Sequence, residues 1–204
     1  MKLKSLSLPD AEQVRQWRNE QLDMLRTSFP LTQEQQEQFY REVVCNRQAN
    51  AKFWGIVCNV PNIVNMYHAE SDKPYETFES NTTHKELIGM CGLENISWEN
   101  RNAEISMVLN PEYPLDKYGE EALGLLLHEG FMNLNLENIF AEVYACNPNM
   151  EFWTDVINKY KCITAFLPYR KYYNGQWYSS TYININKGAY PYEHTVSQPA
   201  HSPD

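Results

Sequence analysis

The sequence is poor in the residues that build several common classes of protein. It has only 8 glycines among 204 residues, which excludes glycine-rich and collagen-like architectures. It has 17 Lys and Arg against 26 Asp and Glu, which gives a formal net charge of −9. Because binding along a nucleic-acid backbone needs clustered cations, we expect no such partner.

Cysteine and histidine are too scattered for a disulfide framework or a metal site. The five cysteines are odd in number and include no C-x-x-C pair, and the five histidines show no ligand spacing. We therefore expect no metal. The N-terminal residues lack the apolar core of a signal peptide, and no apolar stretch reaches the ~20 residues that cross a bilayer. These features predict a cytoplasmic protein with no membrane partner.

What is present is the composition of one globular domain. Hydrophobic residues make up 43% of the chain and charged residues 21%, and a chain of 204 residues suits a single core. Residues 61–85 have no sustained hydrophobic period, and we interpret them as an inserted long loop or irregular hairpin. From residue 187 the chain is again aperiodic. The expected organisation is one domain over 1–186 and a flexible tail over 187–204.

Hydrophobic periodicity predicts secondary structure in the order β-α-α-β-β-β-α-β-α-β-β. Capping signals place the starts of the helices, and β-rich runs place the strands. The dipeptide Asn174-Gly175 predicts a tight turn between the last two strands. The predicted helix starts are Asp10, Thr32 (capping box with Gln35), about Glu120, and Asn147 (with Pro148 in the first helical position). The first five predicted strands are 2–8, 53–60, 86–96, 103–109 and 138–146.

One strand–turn–helix unit could hold a ligand. The strand AEISMVL leads through the turn EYPLDKYG into the third helix. A helix start leaves its first N–H groups unpaired, and with the helix dipole these groups favour a phosphate or pyrophosphate. The alternative is that the unit binds nothing, since every αβ protein contains such units.

The runs KYGEEALGLLLHEGF and NLENIFAEVYACNPN resemble the GNAT superfamily of N-acetyltransferases. More narrowly, the chain is similar to the RimJ/RimL-type branch, in Trp17-Arg18-Asn19 and in ELIGMCGLENISWENRNAEISMVLNPEY. This resemblance covers about residues 2–186. It implies an α/β (α+β) fold, with a mixed, strongly twisted sheet of about seven strands flanked by about four helices.

The resemblance implies that acetyl-CoA is the acyl donor and lies where the fourth and fifth strands separate. Its pyrophosphate would lie on a loop written Q/R-x-x-G-x-G/A, which corresponds to Pro114 to Gly119. Here Pro114 stands in place of Gln or Arg, and Lys117 in place of the first glycine. These departures leave open an alternative, a GNAT-fold binding or structural module without catalysis. The implied cofactor-binding residues are Met107, Val108, Leu109, Lys117, Tyr118, Gly119, Glu120 and Asn147.

The resemblance also implies a general base, Glu104 on the fourth strand. Family glutamates at this place take a proton from the attacking amine, and a carboxylate of raised pKa suits that task. The alternative is a solvated glutamate or one ion-paired with Arg101. The usual tyrosine that protonates the leaving thiolate has no clear counterpart, and Tyr144 and Tyr160 are both candidates. For Asn147, a simple helix cap is an equally complete explanation.

The acceptor implied by the resemblance is a primary amine. It could belong to a small molecule, an amino sugar or a protein N-terminus, and the sequence does not choose among them. The implied substrate-binding residues are Arg18, Asn19 and Tyr173. The aromatic residues of the last hairpin are either cross-strand packing pairs or one wall of the acceptor pocket. The resemblance also allows a homodimer.

Overall fold

The structure of the chain is a computed structural model, and it describes residues 1–66 and 76–191. Within these residues the elements follow the predicted order, with seven strands and four α-helices. The strands are β1 (Lys2–Lys4), β2 (Lys52–Met66), β3 (Glu76–Ser97), β4 (Asn102–Leu109), β5 (Asn138–Tyr144), β6 (Ile163–Tyr173) and β7 (Gln176–Asn186). The helices are α1 (Leu8–Asn19), α2 (Gln33–Phe39), α3 (Leu115–His128) and α4 (Met150–Tyr160).

The seven strands form one mixed sheet in the order β1-β2-β3-β4-β5-β7-β6. Neighbouring strands are antiparallel except β4 and β5, which are parallel. The pairing of β4 with β5 covers only Asn102–Glu104 against Asn138–Phe140. Beyond Glu104 the two strands separate, and this opening in the middle of the sheet positions the candidate site.

The first two helices begin at capping boxes, as expected for short polar residues that satisfy free N–H groups. The box at Thr32 and Gln35 is confirmed. The predicted cap at Asp10 is wrong, because Ser7 caps α1 and Asp10 is the acidic partner three residues later. Helix α1 therefore takes in Leu8 and Pro9, and β1 ends at Lys4 instead of residue 8.

The starts of α3 and α4 also differ from the prediction. Helix α3 begins at Leu115 rather than Glu120, directly after Pro114, whose carbonyl accepts from the Tyr118 N–H at 3.1 Å. Most of the predicted pyrophosphate loop, Pro114 to Gly119, and the neighbouring Glu120 thus lie inside the helix. Helix α4 begins after Asn149 rather than Asn147, because the Asn147 side chain accepts from the Asn149 N–H at 2.8 Å and closes a preceding turn.

The sheet separates two apolar clusters, which fixes the direction in which each β4 residue faces. Side chains alternate between the faces of a strand. Ala103 and Leu109 are buried, and with Ile105 and Met107 they pack in the cluster that also includes α3 and α4. Val108 packs in the other cluster, with residues of α1 and α2. The even face of β4, which carries Glu104, is therefore the α1 and α2 side.

Two segments predicted to be irregular are more ordered than expected. Residues 61–66 and 76–85 continue the antiparallel pairing of β2 and β3, with a register shift between Pro61 and Ile63. Where the structure describes this segment, it agrees with the interpretation as an irregular hairpin rather than a long loop. Residues 67–75 lie outside the described residues. Residues 82–85 are exposed, so no buried face imposes an apolar period on this part of β3.

Residues 187–190, predicted to begin a flexible tail, are attached to the domain. Lys187–Ala189 form a 3-10 turn, and Tyr190 packs on the core, 5.5 Å from Phe131 between ring centroids. Its hydroxyl donates to the Gly124 carbonyl at 3.4 Å. One aromatic anchor in a polar segment gives no periodicity, which explains the misplaced boundary. Residues 192–204 lie outside the described residues.

Candidate active site

A cleft of about 860 Å³ occupies the opening between β4 and β5. Its floor is the separating ends of the two strands, and its rim is formed by three connecting segments. These are the loop after α1, the turn before α3 and the turn before α4. Lining residues from the strands are Phe53, Met90, Glu94, Glu104, Ile105, Ser106, Met107, Val108, Leu109, Ala141, Glu142, Val143 and Tyr144.

Backbone groups of β4 face into this opening. Asn110 N–H donates to the Ile88 carbonyl of β3 at 2.8 Å, whereas the Leu109 carbonyl accepts from Gln21 Nε2 at 2.8 Å on the other side. Because backbone groups alternate sides along a strand, Ile105, Met107 and Leu109 direct their N–H and C=O groups away from β3. The cleft thus offers donors and acceptors to an extended ligand lying beside β4.

The N-terminus of α3 meets the mouth of the cleft. Pro114 and Leu115 line it, and the N–H groups of Leu115 and Asp116 are those that a helix start leaves without a helical partner. Pro114 has no N–H to add, and Asp116 places a negative charge in the first turn. Lys117 lies over the Tyr118 ring, with its Nζ 5.1 Å from the centroid, outside the lining residues.

Glu104 is held at the base of the cleft on the even face of β4. It is 8% exposed, it forms an ion pair with Arg26, and Asn95 Nδ2 donates to its other oxygen at 2.9 Å. Arg101, the partner considered from the sequence, instead donates to the carbonyl and side chain of Asn135, each at 2.8 Å. Glu104 is therefore ion-paired, as one alternative predicted, but its partner is Arg26 and not Arg101.

Further carboxylates surround Glu104. Glu94 lies directly opposite it on β3, and Glu142 lines the β5 side of the cleft. Arg170 Nε donates to Glu142 at 2.8 Å and Ser180 Oγ donates at 2.7 Å. The hydrogen bond from Arg170 and that from Ser180 outweigh partial burial, so the pKa of Glu142 is lowered. The full set of charged lining residues is Arg18, Glu20, Asp23, Arg26, Glu94, Glu104 and Glu142.

The loop between α1 and α2, residues 20–31, forms one side of the cleft and brings Arg26 to Glu104. Arg18 and Asn19, predicted to bind substrate, both support this loop. Asn19 binds the N–H and carbonyl of Leu31 at 2.8 and 2.9 Å, and it does not line the cleft. Arg18 does line the cleft, and its guanidinium donates to the Phe29 carbonyl at 3.2 Å. Burial lowers the pKa of Arg18.

Several predicted cofactor residues lie beside the cleft and do not line it. Gly119 is buried between α3 and α4, where an added Cβ would lie 2.7 Å from the Leu115 side chain and 2.9 Å from that of Phe152. Glu120 is ion-paired with Lys159 on the surface. Met107, Val108, Leu109 and Asn147 do line the cleft. Of the predicted donor site, the structure brings together the strand and the α4 turn, but not Lys117, Tyr118, Gly119 and Glu120.

The tyrosines divide clearly between the cleft and the core. Tyr144 lines the cleft, whereas Tyr160 stacks near Tyr190 with its pKa raised by burial. Sequence reasoning missed Tyr113, which lines the cleft beside α3. Burial, with a hydrogen bond to Glu86, raises the pKa of Tyr113 to about 12. Tyr113 and Tyr144 are therefore the two tyrosines that line the cleft.

The aromatic residues of the last hairpin favour the packing interpretation. Tyr172 and Trp177 are a cross-strand pair with centroids 5.4 Å apart, and Tyr182 stacks on Phe140 at 5.0 Å. No aromatic residue of β6 or β7 is among the residues that line the cleft. Tyr173, predicted to bind substrate, instead lies beneath the Lys171 ammonium, 4.9 Å from its ring centroid.

Two absences apply to the part of the chain that the structure describes. There, no group of three or more His, Cys, Asp and Glu side chains could hold a metal ion. In the same residues no helix is long and apolar enough to cross a membrane.

Comparison with known proteins agrees with this architecture. Three solved structures from Vibrio cholerae have the same fold at 16–18% sequence identity. Spermidine N-acetyltransferase in complex with CoA and spermine matches with a TM-score of 0.69 and 16% identity, covering 93% of this chain and 96% of that one. A single-residue variant of spermidine N-acetyltransferase SpeG matches with TM-score 0.67, 18% identity and coverages of 93% and 97%. A structure from a study of two glutamate-to-glutamine mutant forms of spermidine/spermine N-acetyltransferase SpeG matches with TM-score 0.66, 17% identity and coverages of 93% and 95%.

No curated protein matches the chain by sequence. A family does: residues 1–151 match the acetyltransferase (GNAT) domain. This match spans the sheet opening, the general-base candidate and the start of α4. The chain therefore belongs to the GNAT acetyltransferase family.

Proposed function

We propose that the protein is an N-acetyltransferase that moves acetyl from acetyl-CoA to the primary amine of a small cationic molecule by direct attack. The observation that carries this proposal is the buried Glu104 carboxylate in the cleft between β4 and β5. Family membership supplies the expected acyl donor, and the cleft supplies a place for both reactants to meet.

The acyl donor fits the strand part of the cleft. Its pantetheine arm carries amide groups, and Met107 and Leu109 present backbone groups that could pair with them. Asn147 lines the same region from the turn before α4. The pyrophosphate would lie at the start of α3, on the N–H groups of Leu115 and Asp116, with Lys117 one residue further on. In this proposal the helix start takes the role that the resemblance assigned to Lys117, Tyr118, Gly119 and Glu120.

Glu104 is suited to accept the proton of the amine. An amine is an ammonium ion at neutral pH, and only its free base can attack the thioester carbonyl. Asn95 and Arg26 fix the two carboxylate oxygens of Glu104. An acceptor ammonium can approach the oxygen held by Arg26, because the Arg26 side chain is half exposed. The leaving thiolate needs a proton, and Tyr144 is the cleft hydroxyl closest in sequence to Asn147.

The charges of the cleft favour a cationic acceptor. Five carboxylates and two guanidinium groups are among its lining residues, so a field of negative sign is expected there. This argues for an acceptor with more than one ammonium group, and against an anionic nucleotide-linked amino sugar. The similar Vibrio cholerae structures are of enzymes named for spermidine, which makes polyamines the first acceptors to test.

The competing proposal is a GNAT-fold binding module without catalysis. It is favoured by Pro114 at the start of α3, which removes one N–H donor, and by Asp116 in the first turn. At 4 Å in water the repulsion between Asp116 and a phosphate charge is only about 1 kcal/mol, so it weakens binding without preventing it. The RimJ/RimL-type branch and a cytoplasmic location remain part of our proposal, on the sequence features given above.

Acetyl-CoA turnover over a panel of amines tests the proposal. Release of the CoA thiol would be followed with spermidine, a neutral amino sugar, a nucleotide-linked amino sugar and a peptide with a free N-terminus. We expect the highest kcat/KM for spermidine, and a decrease as salt screens the cleft charges. Preference for the nucleotide-linked amine would contradict the assigned acceptor. Calorimetric binding of acetyl-CoA without turnover of any amine would favour the module.

A further inference from the structure

Lys171 is a buried lysine with an unusual set of partners. It is 4% exposed, and its Nζ donates to the carbonyls of Leu22 at 3.1 Å, Asp23 at 2.6 Å and Leu25 at 2.6 Å. An ammonium has three N–H groups, so each one has a carbonyl acceptor. All three carbonyls belong to the loop between α1 and α2, which is the loop that delivers Arg26 to Glu104.

The backbone of β6 is distorted where it presents this side chain. The pairing of β6 with β7 shifts register between Leu167 and Lys171, which marks a bulge. Within it Tyr169 has φ of 53°, a left-handed conformation that a bulky residue adopts only at a cost. A bulge re-aims a side chain, and Lys171 is the buried residue of a strand that is otherwise largely exposed. The distortion thus turns one cation inward toward the loop.

Two further attachments of the loop, beside those from α1, come from residues that line the cleft. Gln21 Nε2 donates to the Leu109 carbonyl of β4 at 2.8 Å, and Cys146 Sγ contacts the Asp23 carbonyl at 3.4 Å. The loop therefore crosses the opening between the strands, and its attachments lie on both sides of it. Lys171 holds the stretch immediately before Arg26, whose side chain reaches Glu104.

We propose that Lys171 is a positioning residue for acyl transfer, whose ammonium fixes residues 22–25 across the cleft so that Arg26 meets Glu104. This inference rests on the proposed function. Lys171 acts through the loop and does not touch the reacting atoms. Without its three bonds, the carbonyls of Leu22, Asp23 and Leu25 lose their shared partner and Arg26 is no longer held against Glu104.

A nucleophilic or general-base role for Lys171 fits the structure less well. All three donors are directed at carbonyl oxygens, and the rings of Tyr144 and Tyr173 lie 5.3 and 4.9 Å from the cation. Both kinds of contact favour the charged form. Burial lowers the pKa of Lys171, while Cys146 and Asp23 act in the opposite direction. The ammonium is therefore a structural cation in a cage of oxygens and rings.

The test is a double-mutant cycle with Lys171→Met and Arg26→Gln in the full chain, using acetyl-CoA and spermidine as substrates. Lys171→Met keeps the length of the side chain and removes the charge and the donors. The matched control is Lys52→Met, because Lys52 also donates to a backbone carbonyl, that of Arg47 at 3.1 Å, but on the surface away from the cleft. Hydrogen exchange of residues 20–27 is measured in the same variants.

We expect Lys171→Met to lower kcat with the acceptor by about tenfold or more, since small misplacements of reacting groups are costly. The acetyl-CoA Kd should change less than twofold, and amide exchange over 20–27 should speed up. In the Arg26→Gln background, Lys171→Met should cost much less, because both changes act through one contact. Lys52→Met should leave all of these quantities unchanged.

Three results would overturn the inference. An equal cost of Lys171→Met in both backgrounds would show that Lys171 acts independently of Arg26. A change in melting temperature with unchanged kcat would show a purely structural lysine. If Lys171→Met does not fold, Lys171→Gln is measured in its place, and the same two outcomes apply. Absence of turnover by the wild type with every amine would overturn the proposed function and this inference together, whereas wild-type turnover with an insensitive Lys171 overturns this inference alone.

Discussion

Glu94 and Glu104 lie directly opposite each other on the adjacent antiparallel strands β3 and β4, and both line the cleft. Like charges directly opposite each other on neighbouring strands destabilise a sheet. A site that binds cations gains from the same arrangement. We therefore expect this pair of glutamates to lower the stability of the sheet and to strengthen the binding of a cationic acceptor.

Glu94→Gln should separate these two effects. We expect a slightly higher melting temperature, because the repulsion with Glu104 is removed, and a higher KM for a cationic acceptor. Thermal unfolding and acceptor kinetics measure the two quantities. Glu99→Gln is the control, because Glu99 is an exposed glutamate in the turn between the same strands. A lower melting temperature with unchanged KM would show that Glu94 is not part of the acceptor site.

Gly119 should matter for folding and not for the acyl donor. An added side chain would collide with Leu115 and Phe152 at the packing of α3 against α4. Gly119→Val should therefore lower the free energy of unfolding by about 1–3 kcal/mol, as overpacking does. Calorimetric titration should find acetyl-CoA affinity unchanged in the folded variant. A large loss of acetyl-CoA affinity with an unchanged free energy of unfolding would show instead that Gly119 belongs to the pyrophosphate site.

Gly124 provides the matched control on the same helix. No atom lies within 4 Å of a Cβ added there. Gly124→Ala should stabilise the protein by roughly 0.5–1 kcal/mol, since glycine in a helix interior is costly relative to alanine. Urea denaturation of both variants gives the comparison.

The Glu142–Arg170 pair should make stability depend on acid pH. Since Arg170 lowers the pKa of folded Glu142, the pair stabilises the protein above the unfolded pKa of about 4.3. That contribution is lost as pH falls through the folded pKa. Because Arg170 is half exposed, solvent screens the pair and we expect this contribution to be small. Arg170→Met should therefore destabilise at pH 7 and much less at pH 3, and not at either pH in a Glu142→Gln background.

The cysteines should differ sharply in reactivity. Cys91 is fully buried, and burial raises the pKa of its thiol to about 12, whereas Cys45 is exposed. Since the thiolate is the nucleophile, iodoacetamide should label Cys45 in the native protein and Cys91 only after unfolding. Peptide mass spectrometry reads out the sites. Rapid native labelling of Cys91 would show that β3 opens beneath α3.

Much of the fold could be predicted because its signals are local. The order of strands and helices follows from hydrophobic periodicity, and the Thr32–Gln35 capping box fixes the start of α2. Boundaries failed where a neighbouring polar residue offered an equally good local signal. Asp10 was predicted to cap α1 in place of Ser7, and Asn147 was predicted to cap α4 in place of Asn149. In each case the predicted residue forms a hydrogen bond in the same turn as the actual cap.

The candidate site was predicted only in part, because its other half depends on contacts distant in sequence. Glu104 and the other β4 residues lie on a strand in which the alternation of apolar and polar side chains can be seen in the sequence. Arg26 reaches Glu104 from an aperiodic loop, and Lys171 contacts Asp23 across 148 positions of the chain. The bulge that turns Lys171 inward has no signature in the sequence. Such pairings follow from how the hairpin and the loop meet in the folded chain.

In the proposed reaction Glu104 accepts the proton of the attacking amine. The most direct test is to measure kcat and the acetyl-CoA Kd of Glu104→Gln beside the wild type, with Glu99→Gln as a surface control. We expect kcat to be lower by about 10²–10⁴, the size of a general-base contribution, and the acetyl-CoA Kd to stay within twofold of the wild type. Unchanged turnover of Glu104→Gln at every pH would contradict it.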